Sequence, residues 1–168
     1  MEVRRIRSDE WLIFKSLRLA ALERDGEQFG QLLEIAEGYD DARWLEDTKR
    51  AAESDGFFIV LALDGSEPVG MSGCVQTPSF GKIIAVWVEP EQRRKGIGRA
   101  LGAATMAVVG SERFKLTVLE NNRWAIRTYR SLGFMPTGFS YVNVKGLREI
   151  EMARGSHSGQ ARAGADPK

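Results

Sequence analysis

Between Lys82 and Met106 the chain changes its hydrophobic period in mid-course, and that change restricts what it can fold into. The run "KIIAVWV" reads as a strand and stops at Glu89-Pro90. Three cations follow, then Gly96-Ile97-Gly98. From there Ile97, Leu101, Ala104 and Val108 recur at the spacing of one helix face until Gly110. A strand fed through a glycine turn into a helix belongs to a layered domain, with helices lying on a sheet.

The rest of the chain alternates in the same way. Ser8 and Asp9 are candidate caps for a helix whose apolar face holds Ile13, Leu17, Ala20 and Ala21, and Asp40 or Asp41 for a second one through Trp44, Leu45, Thr48 and Ala52. Phe57 to Leu63 and Val69 to Thr77 read as a hairpin across "DGSEP". Beyond the Gly-rich turn come a strand, "FKLTVL", a helix, "NNRWAIRTYRSLG", and two closing strands, "FMPTGFSYVNV" and "LREIEMA". The expected fold is α/β (mixed α+β), a central mixed, mostly antiparallel sheet flanked by helices. With 168 residues, one domain is expected over residues 1–154, followed by a disordered tail over residues 155–168 that has no apolar face to bury.

Composition removes whole classes of chemistry. The only histidine, His157, falls in that tail, so the folded part is expected to work without imidazole, which disfavours histidine-based triads and histidine-ligated metals. No metal site is expected. Cys74 stands alone and cannot form an intrachain disulfide, which suits a reducing cytoplasm. A net charge of +1 points to neither nucleic acid nor a membrane surface, and the longest apolar run, "FFIVLAL", is far too short to span a bilayer.

The glycine turn has a physical use. A helix start leaves backbone N–H groups unpaired, with the positive end of the helix dipole behind them. Gly96 and Gly98 carry no Cβ to keep anionic oxygens away, and Arg93, Arg94, Lys95 and Arg99 supply charge. A diphosphate suits such a site. An ordinary strand-to-helix connection with solvated cations would have the same glycine spacing, and neither the Walker nor the dinucleotide pattern is present.

Two motifs in order carry a resemblance. "VWVEPEQRRKGIGRAL" holds Arg93-x-x-Gly96-x-Gly98, and "VLENNRWAIRTYRSLGF" holds Asn122, Ala125, Tyr129 and Gly133-Phe134. Together they resemble the GNAT superfamily of N-acetyltransferases, and the order of elements over roughly residues 1–154 is similar too. The resemblance implies acetyl-CoA as cosubstrate, its pyrophosphate on the amides of Arg94, Lys95, Gly96, Ile97, Gly98 and Arg99. It implies a pantetheine arm along Val86, Trp87 and Val88, with the Val88 N–H as oxyanion donor. Asn122 and Ala125 then contact the CoA chain, and Tyr129 serves as general acid to the departing thiolate.

The general base has no assigned residue. The two places where relatives of this kind carry a glutamate fall here on Lys82 and Thr117, which lack a carboxylate. Glu89 and Glu120 read as solvated charges, and Glu27, Glu34 and Glu37 lie in the segment that covers the acceptor cleft in the family. A water chain is the expected route for the amine's proton. Trp11, Trp44 and Trp124 read as packing residues, and Phe29, Leu32 and Leu33 as either acceptor wall or core. The expected activity is direct transfer to a primary amine of a small molecule. The alternatives are a protein lysine or N-terminal acceptor, or a non-catalytic acyl-CoA-binding module, in a monomer or homodimer.

Overall fold

Every residue from Phe58 to Leu63 is buried, as happens only in a strand covered on both faces. In the computed structural model, which describes residues 1–155, this strand is β2 of a chain running β1 (Glu2–Arg5), α1 (Trp11–Asp25), a 3-10 turn (Gly26–Gln28), α2 (Leu33–Glu37), α3 (Asp41–Glu53), β2 (Phe57–Asp64), β3 (Glu67–Gln76), β4 (Gly81–Val88), α4 (Ile97–Val109), β5 (Phe114–Leu119), α5 (Arg123–Ser131), β6 (Met135–Val142) and β7 (Arg148–Arg154). Residues 156–168, His157 among them, lie outside the described residues. The strands form a seven-stranded sheet in the order β1-β2-β3-β4-β5-β7-β6. All neighbours are antiparallel except β4 and β5. The mixed, mostly antiparallel sheet expected from sequence is the one observed.

Alternation along β2 distributes the core. Ile59 and Leu61 join Phe14, Leu17, Ala21 and Trp44 beneath α1 and α3, while Val60 and Ala62 join Ile97 and Leu101 of α4 on the opposite face. A further core, with Leu116, Val118, Met152, Tyr129 and Phe134, lies under α4 and α5. Beside Leu101 and Val60, the Thr105 hydroxyl lies 2.9 Å from that of Ser72 and bonds the Leu101 carbonyl at 2.8 Å, so these two buried hydroxyls are satisfied.

Several expectations are corrected. Residues 2–5 form β1, a strand with no apolar run of its own, held by pairing with β2 from Glu2↔Leu63 to Arg5↔Val60. Ser8 and Asp9 do not cap α1; Glu10 occupies that position, and its carboxylate is taken by Arg4 at 2.5 Å and by the Arg7 N–H at 2.8 Å. The buried face of α1 is Phe14, Leu17, Ala21 and Leu22. Asp40 does cap α3, accepting from the Arg43 N–H at 2.8 Å. On α4 the inward row turns through Thr105 and Met106, leaving Val108 exposed. Trp44 is buried in the core, whereas Trp124 is 70% exposed on α5 and packs on nothing comparable.

Candidate active site

The sheet opens where the two motifs meet. β4 and β5 pair only at Gly81↔Phe114 and Lys82↔Lys115 and then separate. Alongside, the register between β3 and β4 slips between Met71 and Gly73, where Ala85 adopts a φ of 53°. This bulge bends β4 away from β5. Beyond it the Glu89 N–H reaches the Val69 carbonyl at 2.9 Å, which makes Gly70↔Val88 a pair that does not exchange hydrogen bonds. The Val88 N–H therefore points away from β3 and into the gap, and by strand alternation so does that of Val86. No residue type marks the gap, because it arises from a missing pairing; only the family resemblance, with a pantetheine arm along Val86, Trp87 and Val88, implied an open strand edge here.

The loop that follows is fixed by contacts on one side and open on the other. Arg93 bends back: its Nε donates to the Val88 carbonyl at 3.0 Å and a terminal nitrogen pairs with Asp25 of α1. Trp87 donates from its indole N–H to the same carboxylate at 2.7 Å, and its ring is buried in the α1 core. Arg93 thus anchors the loop rather than projecting from it. Arg94 and Gly96 both have positive φ, 65° and 82°, which turns successive N–H groups toward one side of the loop, as in an anion-binding nest. The first turn of α4 has no side-chain cap. Ile97 is buried, so only its main chain faces outward. Arg94, Lys95 and Arg99 are exposed, with Lys95 donating to Gln92 at 2.7 Å. An added Cβ at Gly98 would meet Thr128 and Val88 at 3.9 Å, an ordinary contact that places β4, α4 and α5 around one point.

Across the gap, Asn122 caps α5 by accepting from the Ala125 N–H at 3.0 Å, and its amide donates to Gln28 at 2.8 Å. Tyr129, 8% exposed, lies on the inner face of α5 with its ring edge-on to Phe134 at 6.0 Å. Burial pushes its phenol's pKa up, so the hydroxyl keeps its proton at neutral pH. Cys74 is buried in β3 and its thiol is pushed up to about 12 by desolvation, which makes it a packing residue.

The chain between α1 and α2, the segment that the family resemblance implies as the cover of the acceptor cleft and hence a roof, is tied to the far edge of the sheet. Lys145, in the turn between β6 and β7, donates to the carbonyls of Gly26 and Phe29 at 2.6 and 2.7 Å. Phe29 is buried under the Arg18 guanidinium, which stacks 4.8 Å from its ring and donates to Gln31. Burial lowers Arg18 to about 10. Leu32 is exposed and Leu33 half-buried, so of the three apolar residues in this segment only Phe29 is core. Glu27, Glu34 and Glu37 are exposed. Glu89 pairs with Arg24 at 3.2 Å and Glu120 with Arg148 at 3.7 Å. Thr117 stands beside Glu149 of β7 and Tyr141 of β6. Sequence reasoning missed Glu149, because only the β5-β7 pairing brings it to Thr117. No helix among the described residues is long and apolar enough to cross a membrane.

Comparison with known proteins agrees with this geometry. A family model described as the acetyltransferase (GNAT) family matches residues 15–134. Mycothiol acetyltransferase of Thermobispora bispora is 44% identical over 58 residues, 33% of this chain and 20% of that protein. The enzyme of the same name from Nocardiopsis dassonvillei is 32% identical over 93 residues, 49% of this chain and 28% of that protein. The chain thus matches less than a third of the length of these curated relatives. Among solved structures, a protein of Salmonella typhimurium with its cofactor acetyl-CoA superposes with a TM-score of 0.76 at 18% identity, covering 97% of this chain and 99% of that one. Ribosomal-protein-alanine N-acetyltransferase from Brucella melitensis gives 0.70 at 21% identity, covering 92% and 99%. The strand gap, the amide-rich turn and the capped α5 all fall within the matched residues, and the chain belongs to the acetyltransferase (GNAT) family.

Proposed function

We propose that this protein is an acetyl-CoA-dependent N-acetyltransferase that transfers the acetyl group directly to a primary amine of a small molecule. The observation that carries the reading is the gap beside β4, where the Val86 and Val88 N–H groups lose their strand partner. An extended pantetheine arm supplies the missing edge, pairing with Val86, Trp87 and Val88 as a strand would. It continues to the pyrophosphate on the N–H groups between Arg94 and Arg99, with Asn122 and Ala125 flanking the chain. The exposed cations Arg94, Lys95 and Arg99 draw the anionic donor in, while Arg93 holds the loop in shape through Asp25.

The chemistry follows from the same parts. Attack by a neutral amine on the thioester carbonyl places charge on its oxygen, and the Val88 N–H is the donor preorganised for that oxygen. As the tetrahedral intermediate collapses, the sulfur leaves as thiolate. Tyr129, protonated because it is buried, donates a hydrogen bond and then the proton. The apolar surroundings that raise the phenol's pKa raise the thiol's as well, so the two stay close enough for transfer. The amine's proton leaves through water.

The Lys145 clamp favours a small acceptor, since it ties the roof over the acceptor side down on both carbonyls. The mycothiol acetyltransferase relatives bear names of the same kind. The test is acetyl-CoA binding by calorimetry, followed by free-thiol release across a panel of small amines and peptides. Absence of acetyl-CoA binding overturns the proposal, and turnover confined to peptides moves the acceptor to protein.

A further inference from the structure

Glu149 is the one carboxylate on the acceptor face that is held in place by donors and has no counterion among the described residues. It lies opposite Leu119 on β5 and Tyr141 on β6. Its neighbours Ile150 and Met152 turn toward the α4 and α5 core, so strand alternation sends Glu149 to the opposite face, the side of α1 and the roof. Tyr141 donates to one oxygen at 2.7 Å and Asn143 to the other at 2.9 Å. Asn143 is locked in turn, its own oxygen accepting from the N–H groups of Lys145 and Leu147 at 2.9 and 3.0 Å. The adjacent cations are spent elsewhere: Arg148 goes to Glu120 and Lys115 to Glu151 at 3.1 Å. Lys82 acts on Glu149 only through its field.

A half-buried carboxylate held this way stays charged. Burial works to raise its pKa, but the hydrogen bonds from Asn143 and Tyr141, with nearby Thr117 and the field of Lys82, outweigh it and hold the group below the usual carboxylate range. Such a group is a poor proton acceptor for catalysis near neutral pH, which calls for a pKa close to the working pH. It is well suited to bind a cation. A carboxylate offers about four lone-pair directions, and the fixed donors leave room for one more partner. Beside it, Phe139 and Tyr141 lie 6.2 Å apart as exposed rings that can flank a methylene chain.

We propose that Glu149 is the acceptor-recognition residue of this enzyme: it binds a cationic group of the acceptor distinct from the amine that attacks the thioester, and so selects dicationic amines. The proposal rests on the acetyltransferase reading above, since it takes the gap side of the sheet as the acceptor site.

The test uses cadaverine, which carries an ammonium at each end, and pentylamine, which replaces one of them by a methyl group. Each is titrated by calorimetry into the full chain saturated with CoA. Wild type is expected to bind cadaverine about tenfold more tightly than pentylamine or better, the difference expected of one charge-assisted hydrogen bond. Glu149→Gln keeps the shape and should erase that preference, with acetyl-CoA affinity unchanged. Tyr141→Phe removes a donor and leaves the charge, so it should bind cadaverine at least as well as wild type, which keeps the test alive if Glu149→Gln does not fold. Equal binding of the two amines by wild type, no cadaverine binding at all, or a preference that survives Glu149→Gln overturns the proposal. Failure of wild type to bind CoA overturns instead the donor reading on which it rests.

Discussion

Tyr129 is where packing and chemistry can be separated by a single atom. Its ring fills the core against Phe134, so Tyr129→Phe should leave stability and acetyl-CoA affinity almost unchanged. Turnover should fall by about a hundredfold to ten-thousandfold, seen in kcat rather than KM, because in the proposed mechanism the hydroxyl acts as the thiolate departs. Steady-state kinetics beside calorimetry reads both. A loss below about threefold would show the phenol to be packing alone. Gly98 offers the complementary test at the donor site. A methyl group there meets nothing closer than 3.9 Å in the protein, and alanine is better than glycine in a helix by about 1 kcal/mol. Gly98→Ala should therefore melt no lower than wild type, and Gly98→Val should fold as well. Both should bind acetyl-CoA more weakly, valine the more so, because the added carbons occupy the line of approach to the α4 amides. Unchanged calorimetric affinity in the valine variant would remove the pyrophosphate from this turn.

Connections between elements carry stability of a kind that apolar burial does not. Glu10 joins β1 to α1 through Arg4 and the Arg7 N–H, and the hydrogen bond from Arg4 lowers its pKa more than burial raises it. A carboxyl with a depressed folded-state pKa contributes stability above its unfolded pKa, about 4.3, and loses it as pH falls through the folded value. The difference in melting temperature between wild type and Glu10→Gln should accordingly be largest near neutrality and shrink below about pH 4. A difference that is constant with pH would mean that the contact is packing rather than charge. Lys145 ties the β6-β7 turn to the roof. Lys145→Met keeps the stem and removes both hydrogen bonds, at an expected cost of about 1–2 kcal/mol in urea unfolding. With the roof released, bulkier amines should gain turnover relative to small ones. If their ratio is unmoved, the clamp has no part in selecting acceptors.

Donor binding is expected to couple to folding of the entire domain, because the cleft is assembled from β4, α4, α5 and the roof together. A ligand that binds only the native state stabilises it by about 2.7 kcal/mol at a hundredfold excess over Kd, so the melting temperature should climb with acetyl-CoA concentration. The same rise is expected of a chain ending at Gly155, since the residues beyond it carry no apolar pattern. A truncated chain that folds but loses activity would bring His157 into the chemistry. The amino-acid sequence by itself determined the elements from α3 onward, because their periods, their stops at Pro90 and Gly110 and their caps at Asp40 and Asn122 are local properties of adjacent residues. It also determined the glycine turn before α4, whose glycines and cations lie within one short stretch. It could not show β1, which has no apolar run and exists only by pairing with β2. Nor could it show that Arg93 would be spent on Asp25, 68 residues away. The gap between β4 and β5, the Lys145 clamp and the isolation of Glu149 were decided by tertiary structure alone. Each depends on which strand lies beside which and where that pairing stops, and such long-range contacts leave no periodic trace in the chain.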